Sequence, residues 1–216
     1  MKKFGIIGLG KFGATAAREL AGLGCKVTVV DRNENRARQL ADEVDTALVA
    51  DARHKEQLEN MDVAGFDTWL VAIGRDPHAS ILVTLHLKEL GATSIVAKAN
   101  SRDHARILEK VGATQVVIPE EQMAVRMAHS LARSDLVDFL PLTGDYLISE
   151  VKPAAQFVGK RLLDIDLRDE REVQIVAIRH GEGGLTPAPS AGHVVAEDEV
   201  WIVLGREGDI EELRRL

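Results

Sequence analysis

The chain has 216 residues and a formal net charge of −7, with 45% hydrophobic and 28% charged residues. These values are typical of a globular protein of one large or two smaller domains and exclude an extensively disordered chain. The negative charge and the 4% aromatic content argue against nucleic acid as a partner. No apolar run approaches the roughly 20 residues of a bilayer-spanning helix, so we expect no direct membrane insertion. The only cysteine, Cys25, excludes an internal disulfide and a thiolate metal cluster and favours a cytoplasmic location.

The first part of the chain alternates apolar runs with amphipathic helical patterns. Six runs rich in Val and Ile are predicted strands: FGIIG, KVTVVD, TALVA, DTWLVAIG, SIVAKA and QVVIP. Helical patterns between them include KFGATAARELAGLG, NENRARQLADEV, ASILVTLHLKELGA and RDHARILEKVGA. Gly24, Gly91 and Gly112 fit helix C-terminal caps. The alternation predicts an α/β fold, a Rossmann-like doubly wound parallel sheet that ends near Pro119.

A further helical pattern, EEQMAVRMAHSLARSDLVDFL, follows the predicted sheet. Met123, Met127 and Leu131 recur every four residues beside a stripe of alanines, and Glu120 and Glu121 complement the helix dipole. Two interpretations remain open. The helix is either the last one packed on its own sheet or a crossover helix whose stripe packs against a second subunit or domain.

Beyond this helix the pattern changes to that of a small α+β domain. The stretch PLTGD, with Pro141 and Gly144, is typical of a linker. YLISEVKP, REVQIVAIRHG and DEVWIVLG are predicted strands, and QFVGKRLLDIDL and EGDIEELRRL are predicted short helices. A hairpin is expected at Gly181, Gly183 and Gly184. We assign residues 1–134 to the first domain, with the crossover helix, and residues 135–216 to the C-terminal domain.

Three glycines between the first strand and the first helix predict a phosphate site. Gly8 allows a tight turn, Gly10 lets backbone N–H groups approach a phosphate, and Gly13 lets the helix pack close to the strand. The helix N-terminus adds donors and positive dipole charge. Asp31, at the end of the second strand, can accept hydrogen bonds from both ribose hydroxyls. The combination predicts a site for an adenine nucleotide.

Charges beside the glycines narrow the choice of nucleotide. Asp31 would repel a 2′-phosphate and disfavours NADP, although Arg32 next to it could bind one. Lys11 lies in the first helical turn, where a cation opposes the helix dipole. Contact with phosphate therefore explains Lys11 better than exposure to solvent does.

Further ligand contacts are expected where the other strands end, because ligands of open parallel sheets lie at the carboxyl ends of strands. By that rule Asp51 and Ala52 flank the adenine, and the segments after the fourth and fifth strands, with Arg75, face ribose and phosphate. The predicted nucleotide-binding residues are Gly8, Gly10, Lys11, Phe12, Gly13, Asp31, Arg32, Asp51, Ala52, Ile73, Gly74 and Lys98.

No catalytic residues are predicted. Tyr146 is the only tyrosine, and Glu150 rather than a lysine stands four residues after it. The seven histidines lack metal-ligand spacing, and neither a nucleophile elbow nor a Walker lysine occurs. The site is expected to bind a nucleotide without transforming it. An NAD(H)-dependent oxidoreductase or redox sensor remains the alternative, because the glycines and Asp31 would suit it equally well.

Several motifs carry a family resemblance. GIIGLGKFG, VVDRN, ADAR, LVAIGRD and VAKANSRDHARILEKVGATQVVIPEE together resemble the RCK (KTN) regulatory domain. IVAIRHGEGGLTPAPSAGHVVAEDEVWIVLG resembles the companion C-terminal RCK domain. Over nearly the whole chain the likeness is to cytosolic regulatory subunits of Ktr/Trk potassium uptake systems.

The resemblance implies a regulatory subunit and not an enzyme. Its subunits would form dimers that assemble into an octameric ring beneath a membrane potassium-transporting subunit, at the inner face of the cell membrane. ATP and ADP would hold different ring shapes. Lys11 stands where the family has a phosphate-reaching arginine, and it keeps the charge without the guanidinium fork. The family's GDA turn is ADA at Ala50–Ala52.

The resemblance also implies two further ligands. Glu120 matches a position that binds a divalent cation, Mg or Ca, in some relatives, with a simple helix N-terminal charge as the alternative. Positions that resemble a cyclic di-AMP pocket are Arg168, Ile175, Ile178, His180 and Pro189. For Ile175 and Ile178, ordinary core packing in a strand is the alternative.

Overall fold

The computed structural model describes residues 1–132, 139–142, 144–165, 167, 172–181 and 183–216. The chain divides into two compact units, Met1–Met123 and Ala124–Leu216. None of the helices in these described ranges combines the length and the apolar character that crossing a bilayer requires.

The first unit is built on a six-stranded sheet in the order β3-β2-β1-β4-β5-β6, with every pair parallel. This order is that of a dinucleotide-binding sheet and confirms the predicted Rossmann-like fold. The strands are β1 (Lys3–Ile7), β2 (Lys26–Asp31), β3 (Thr46–Val49), β4 (Thr68–Val71), β5 (Ile95–Lys98) and β6 (Gln115–Val117). The helices are α1 (Lys11–Gly22), α2 (Glu34–Leu40), α3 (Lys55–Glu59), α4 (Pro77–Glu89), α5 (Arg102–Val111) and α6 (Pro119–Ala132).

Both faces of this sheet are covered, because successive strand residues point to opposite sides. On one face Ile6 packs with Val29 and with α1 and α2. On the other face Ile7 packs with Val30 and with α4 and α5. The continuous apolar strands of the sequence are therefore explained by burial on two sides.

The first helix approaches the end of β1 so closely that its third residue must be glycine. Gly8 has φ +94°, a conformation that side chains rarely adopt. A Cβ on Gly13 would collide with the Gly8 carbonyl oxygen and lie 3.0 Å from the Ala72 Cβ. By contrast, a Cβ on Gly10 would meet no described atom within 4 Å. Gly13 thus sets how near α1 lies to the sheet.

A buried histidine joins α4 to α5. His104 is 5% exposed, and its Nε2 lies 2.8 Å from the Oγ of Ser80, which is fully buried. The backbone N–H of Asn100 donates to His104 Nδ1 at 3.3 Å, and the Asn100 Oδ1 lies 3.0 Å from the same nitrogen. Burial lowers the pKa of His104 below its ordinary value of 6.5. The neutral imidazole is therefore part of the packed structure.

The second unit is an antiparallel sheet in the order β10-β9-β11-β8-β7, followed by a short helix, as the α+β prediction requires. Its strands are β7 (Phe139–Pro141), β8 (Tyr146–Val151), β9 (Gln174–Arg179), β10 (Leu185–Pro187) and β11 (Val200–Arg206), and its helix is α7 (Glu207–Arg214). Fully buried Trp201 and Ile178 lie in its core. The hairpin expected at Gly181–Gly184 is confirmed between β9 and β10.

Two expectations for this unit are wrong. The predicted linker at PLTGD is part of a hairpin: β7 ends at Pro141, pairs with β8, and Gly144 lies in the turn with φ +70°. The predicted helix QFVGKRLLDIDL is replaced by two 3₁₀ turns, Ala155–Phe157 and Leu162–Asp164. Gly159, with φ +82°, interrupts the helical pattern between them.

Gly13→Ala should lower the free energy of unfolding by about 1–3 kcal/mol, because the new methyl group overpacks the contact between α1 and Gly8. Gly22→Ala is the matched control in the same helix. A Cβ on Gly22 would meet no described atom within 4 Å. This control should leave stability unchanged or raise it by up to about 1 kcal/mol. Urea denaturation measures both, and equal stability of the two variants would contradict the close approach.

His104 should make the protein less stable in mild acid. Since its pKa is lower folded than unfolded, the unfolded state takes up the proton first as the pH falls below about 6.5. Stability is therefore complete above that pH and declines below it. The decline between pH 7.5 and 5.5, measured by urea denaturation, should be shallower in His104→Gln. The exposed His78, at the start of α4, provides the control His78→Gln, which should keep the wild-type slope.

Candidate functional site

A cleft of about 880 Å³ opens where the strands of the first unit end, and we call it the strand-end cleft. Its walls come from the β1–α1 turn, the end of β2, the segments after β3, β4 and β5, and the first turn of α6. Sheets of this order bind ligands at this edge, beside the point where the chain reverses its direction across the sheet. The cleft therefore lies where the fold favours a ligand.

The N-terminus of α1 faces this cleft with its backbone donors free. Gly10 precedes the helix, no described side chain caps it, and the first turn contains no acidic residue. In contrast, Asn33, Asp76 and Ser101 each accept a backbone N–H at the start of α2, α4 and α5. Gly10, Lys11 and Phe12 line the cleft. Unsatisfied N–H groups and the helix dipole favour an anion here.

Asp31 holds the glycine turn in place. Its side chain is 6% exposed, and its Oδ2 accepts the backbone N–H of Leu9 at 2.6 Å. Its Oδ1 accepts the N–H of Asn33 at 2.8 Å. The Arg36 guanidinium lies 3.6 Å from Oδ2. The carboxylate therefore connects the glycine turn to the end of β2 while it lines the cleft.

Asp51, after β3, is engaged by a neighbouring arginine. Arg53 donates to both carboxylate oxygens, with Nη2 to Oδ2 at 2.5 Å and Nε to Oδ1 at 2.9 Å. These hydrogen bonds are the main cause that lowers the pKa of Asp51 to about 2. Asp51 is consequently ionised at neutral pH, and its charge is balanced by Arg53 at this end of the cleft.

Lys98, at the end of β5, lies between three segments of the cleft wall. Its side chain is 14% exposed and forms an ion pair with Glu120 in the first turn of α6. The ammonium is 5.6 Å from the centroid of the Phe12 ring. A Cβ on Gly74 would be 3.4 Å from Nζ. Lys98 therefore lies beside the start of α1, the segment after β4 and the first turn of α6.

Three other cations of the cleft are available to a ligand. Lys11, Arg32 and Arg75 line it, and none of them forms an ion pair with a residue that the structure describes. The cleft thus holds unbalanced positive charge around the uncapped helix end. This charge favours an anionic ligand with more than one phosphate.

The structure brings the predicted nucleotide residues together. Gly8, Gly10, Lys11, Phe12, Asp31, Arg32, Asp51, Ala52, Ile73, Gly74 and Lys98 line the strand-end cleft. Gly13 is buried behind it, where it permits the approach of α1. The cleft is also lined by four residues that were not predicted from the sequence: Arg18, Arg36, Arg53 and Asn100. Arg53 and Asn100 each follow a predicted strand end by a few residues, so the strand-end rule could have included them.

Glu120 also lines the cleft, but its described partner is an ammonium group. Hydrogen bonds from Lys98 and from its own backbone N–H lower its pKa. Within the described ranges, no group of three His, Cys, Asp or Glu side chains is arranged to hold a metal ion. The divalent-cation site at Glu120 therefore stays a prediction, beside the alternative of a helix N-terminal charge.

The described positions that resemble a cyclic di-AMP pocket lie on two paired strands: Ile175 and Ile178 on β9, His180 directly after it, and Pro189 shortly after β10. Ile178 is fully buried in its core, as the packing alternative predicts, and Ile175 packs against the same core. His180 is half-buried, with Nε2 2.9 Å from the Thr186 Oγ1. Pro189 is half-buried, and Arg168 lies outside the described residues.

Comparison with known proteins gives matches along most of the chain. The TrkA-N domain model matches residues 4–119, and the TrkA-C domain model matches residues 147–216. Ktr system potassium uptake protein C of Bacillus subtilis (strain 168) is 35% identical over 214 residues, which cover 99% of this chain and 96% of that protein. Ktr system potassium uptake protein A of Vibrio alginolyticus is 35% identical over 204 residues, 94% of this chain and 92% of that protein.

Solved structures share the fold. The GsuK channel aligns with a TM-score of 0.68 and 21% identity over 99% of this chain and 39% of that chain. The GsuK channel bound to NAD aligns with a TM-score of 0.66 and 22% identity over 100% of this chain and 39% of that chain. The two domain matches and the full-length relatives confirm the resemblance found in the sequence: the chain belongs to the family of Ktr/Trk potassium uptake proteins.

Proposed function

We propose that the chain is a non-enzymatic regulatory subunit that binds ATP or ADP in the strand-end cleft and gates a separate membrane potassium-transporting subunit. In this proposal residues 1–134 bind the nucleotide and residues 135–216 contribute to assembly. Dimers assemble into an octameric ring in the cytoplasm, docked at the inner face of the membrane through the transporter subunit. The relatives named as Ktr potassium uptake proteins match along almost their whole length, which supports a role in potassium uptake.

The observation that supports an adenine nucleotide is the uncapped start of α1 inside the cleft. Its free N–H groups favour the phosphates, and so does Lys11, which has no ion-pair partner among the described residues. From there Asp31 is placed to accept ribose hydroxyls, and Asp51 with Ala52 borders the adenine. In this arrangement the β- and γ-phosphates extend toward Lys11, Arg75 and Lys98, where the cleft carries its positive charge.

Gating requires that the nucleotide bind one shape of the assembly more tightly than another. A ligand with equal affinity for two states does not shift the equilibrium between them, however tightly it binds. ATP and ADP differ by one phosphate, so discrimination must come from the cations at the phosphate end of the cleft. A ring whose shape depends on that phosphate could transmit the difference to a membrane subunit.

NAD(H) is the second candidate ligand. The cleft continues past the β1–α1 turn to Ile73, Gly74 and Asn100. In sheets of this order, that region takes the second half of a dinucleotide. An NAD(H)-dependent oxidoreductase or redox sensor is the corresponding alternative function.

Calorimetry should show micromolar binding of ATP and ADP, and small-angle scattering should show a multimer whose shape differs between the two nucleotides. NADH fluorescence, competed by ATP, tests whether the dinucleotide uses the same cleft. The same monomer with and without both nucleotides would contradict the proposal. Turnover of a carbonyl substrate with NADH, abolished by a substitution in the cleft, would establish the oxidoreductase instead.

Lys11→Gln should weaken ATP and ADP about tenfold, because it removes a charge-assisted contact of about 1.5 kcal/mol with a terminal phosphate. AMP, which lacks those phosphates, should lose less than about twofold. Lys26→Gln is the control, since Lys26 is an exposed lysine outside the cleft. This variant should bind all three nucleotides as tightly as the wild type does. Equal losses for AMP, ADP and ATP would show that Lys11 does not reach the terminal phosphates.

A further inference from the structure

A short series of hydrogen bonds joins α4 to the part of the cleft wall that follows β5. Ser80, on α4, donates its hydroxyl proton to the Pro77 carbonyl oxygen at 3.0 Å, and its Oγ lies 2.8 Å from His104 Nε2. On the other side of the imidazole, the backbone N–H of Asn100 donates to Nδ1 at 3.3 Å. Ser80 is fully buried and Asn100 lines the strand-end cleft, so the series runs from the interior to the cleft.

These contacts determine which nitrogen of His104 carries the proton. A serine hydroxyl has one proton, and because that proton goes to Pro77, the Ser80 oxygen accepts a hydrogen bond from Nε2–H. Burial keeps the imidazole neutral by lowering its pKa, so Nδ1 then has a free lone pair. This lone pair is what the backbone N–H of Asn100 needs. The opposite tautomer would place an N–H of the ring against that N–H.

The side chain of Asn100 contacts the same ring nitrogen. Its Oδ1 lies 3.0 Å from Nδ1, where two lone pairs would repel each other if the ring proton is on Nε2. A half turn about the last side-chain bond exchanges Oδ1 and Nδ2 with almost no change of shape, and Nδ2–H then donates to Nδ1. Because Asn100 is exposed and lines the cleft, Oδ1 becomes the end of the carboxamide that is available to a ligand.

The start of α5, directly after Asn100, differs from the uncapped start of α1. The Ser101 hydroxyl oxygen accepts the backbone N–H of His104 at 3.1 Å, and the Ser101 carbonyl accepts that of Ala105 at 3.0 Å. A phosphate at this corner would meet the carboxamide oxygen, which offers it no proton. A hydroxyl or an amide N–H could instead donate to that oxygen. The corner therefore suits a neutral hydrogen-bond donor better than an anion.

We propose that Asn100 is a specificity residue of the cleft, positioned by Ser80 and His104 so that its Oδ1 accepts a hydrogen bond from a neutral donor of the ligand. The inference rests on the proposed function and adds the ligand group that this corner takes: a ribose hydroxyl or a carboxamide carried beyond a pyrophosphate. In sheets of this order the second half of a dinucleotide lies in this region. ADP ends before it, whereas ADP-ribose and NAD extend into it.

Solid-state nitrogen NMR of the full chain with isotope-labelled histidine, at neutral pH, tests the proton arrangement. The signals of His104, identified by their loss in His104→Gln, should show the proton on Nε2. Asn100→Asp should place a proton on Nδ1, because the new carboxylate can only accept. A wild-type proton on Nδ1 would overturn the inference, as would an Asn100→Asp variant whose His104 signals are unchanged.

Calorimetry tests the ligand group. Asn100→Leu should bind ADP-ribose and NAD about two- to tenfold more weakly than the wild type, as expected for the loss of one hydrogen bond. Its affinity for ADP should stay within about 1.5-fold of the wild type, because ADP does not reach Asn100. Asn35→Leu is the matched control, since Asn35 is an exposed asparagine outside the cleft, and it should keep the wild-type affinity for all three ligands.

The two proposals fail in different ways. Equal losses for ADP and ADP-ribose in Asn100→Leu, or no loss for either, would overturn the inference while leaving nucleotide binding intact. A wild type that binds ADP but neither ADP-ribose nor NAD would overturn it as well. Failure of the wild type to bind any adenine nucleotide would overturn the proposed function itself.

Discussion

A buried carboxylate between two backbone amides positions the β1–α1 turn at the edge of the strand-end cleft. Asp31 accepts the N–H groups of Leu9 and Asn33, so the glycine turn and the end of β2 are held by one side chain. The positive φ of Gly8 and the close approach of Gly13 complete the turn. Without these constraints, the free donors of α1 would not point into a cleft, since a loop alone offers no fixed set of N–H groups.

The charges of the cleft divide into balanced and unbalanced groups. Arg53 neutralises Asp51, and Glu120 neutralises Lys98. Lys11, Arg32 and Arg75 have no ion-pair partner among the residues that the structure describes. In the proposed nucleotide site, these unbalanced cations would favour the phosphates.

The sequence predicted the sheet and most of the cleft because both depend on local signals. Apolar runs of strand length, helices between them and glycines with fixed spacing determine the order of elements and therefore which residues meet at the strand ends. Pairing between side chains was not predictable: Lys98 and Glu120 were both identified, but their contact depends on how α6 leaves β6. Burial of His104 was missed because a polar residue on an amphipathic helix gives no sign of a partner on α4. In the second unit, Pro141 and Gly144 mark the end of a regular element, and such residues are as typical of a hairpin turn as of a linker.

The sheet of the second unit has a proline on each of its outer strands, Pro141 on β7 and Pro187 on β10. Each outer strand has three residues, and proline lacks the N–H that an added strand would need. Extension of this sheet by β-augmentation, whether from another copy or from an extended peptide, is therefore disfavoured at both ends. The proposed assembly would therefore use side-chain surfaces of the second unit, which can separate and rejoin without breaking a hydrogen-bonded ladder. The prolines also protect an open antiparallel sheet from uncontrolled polymerisation.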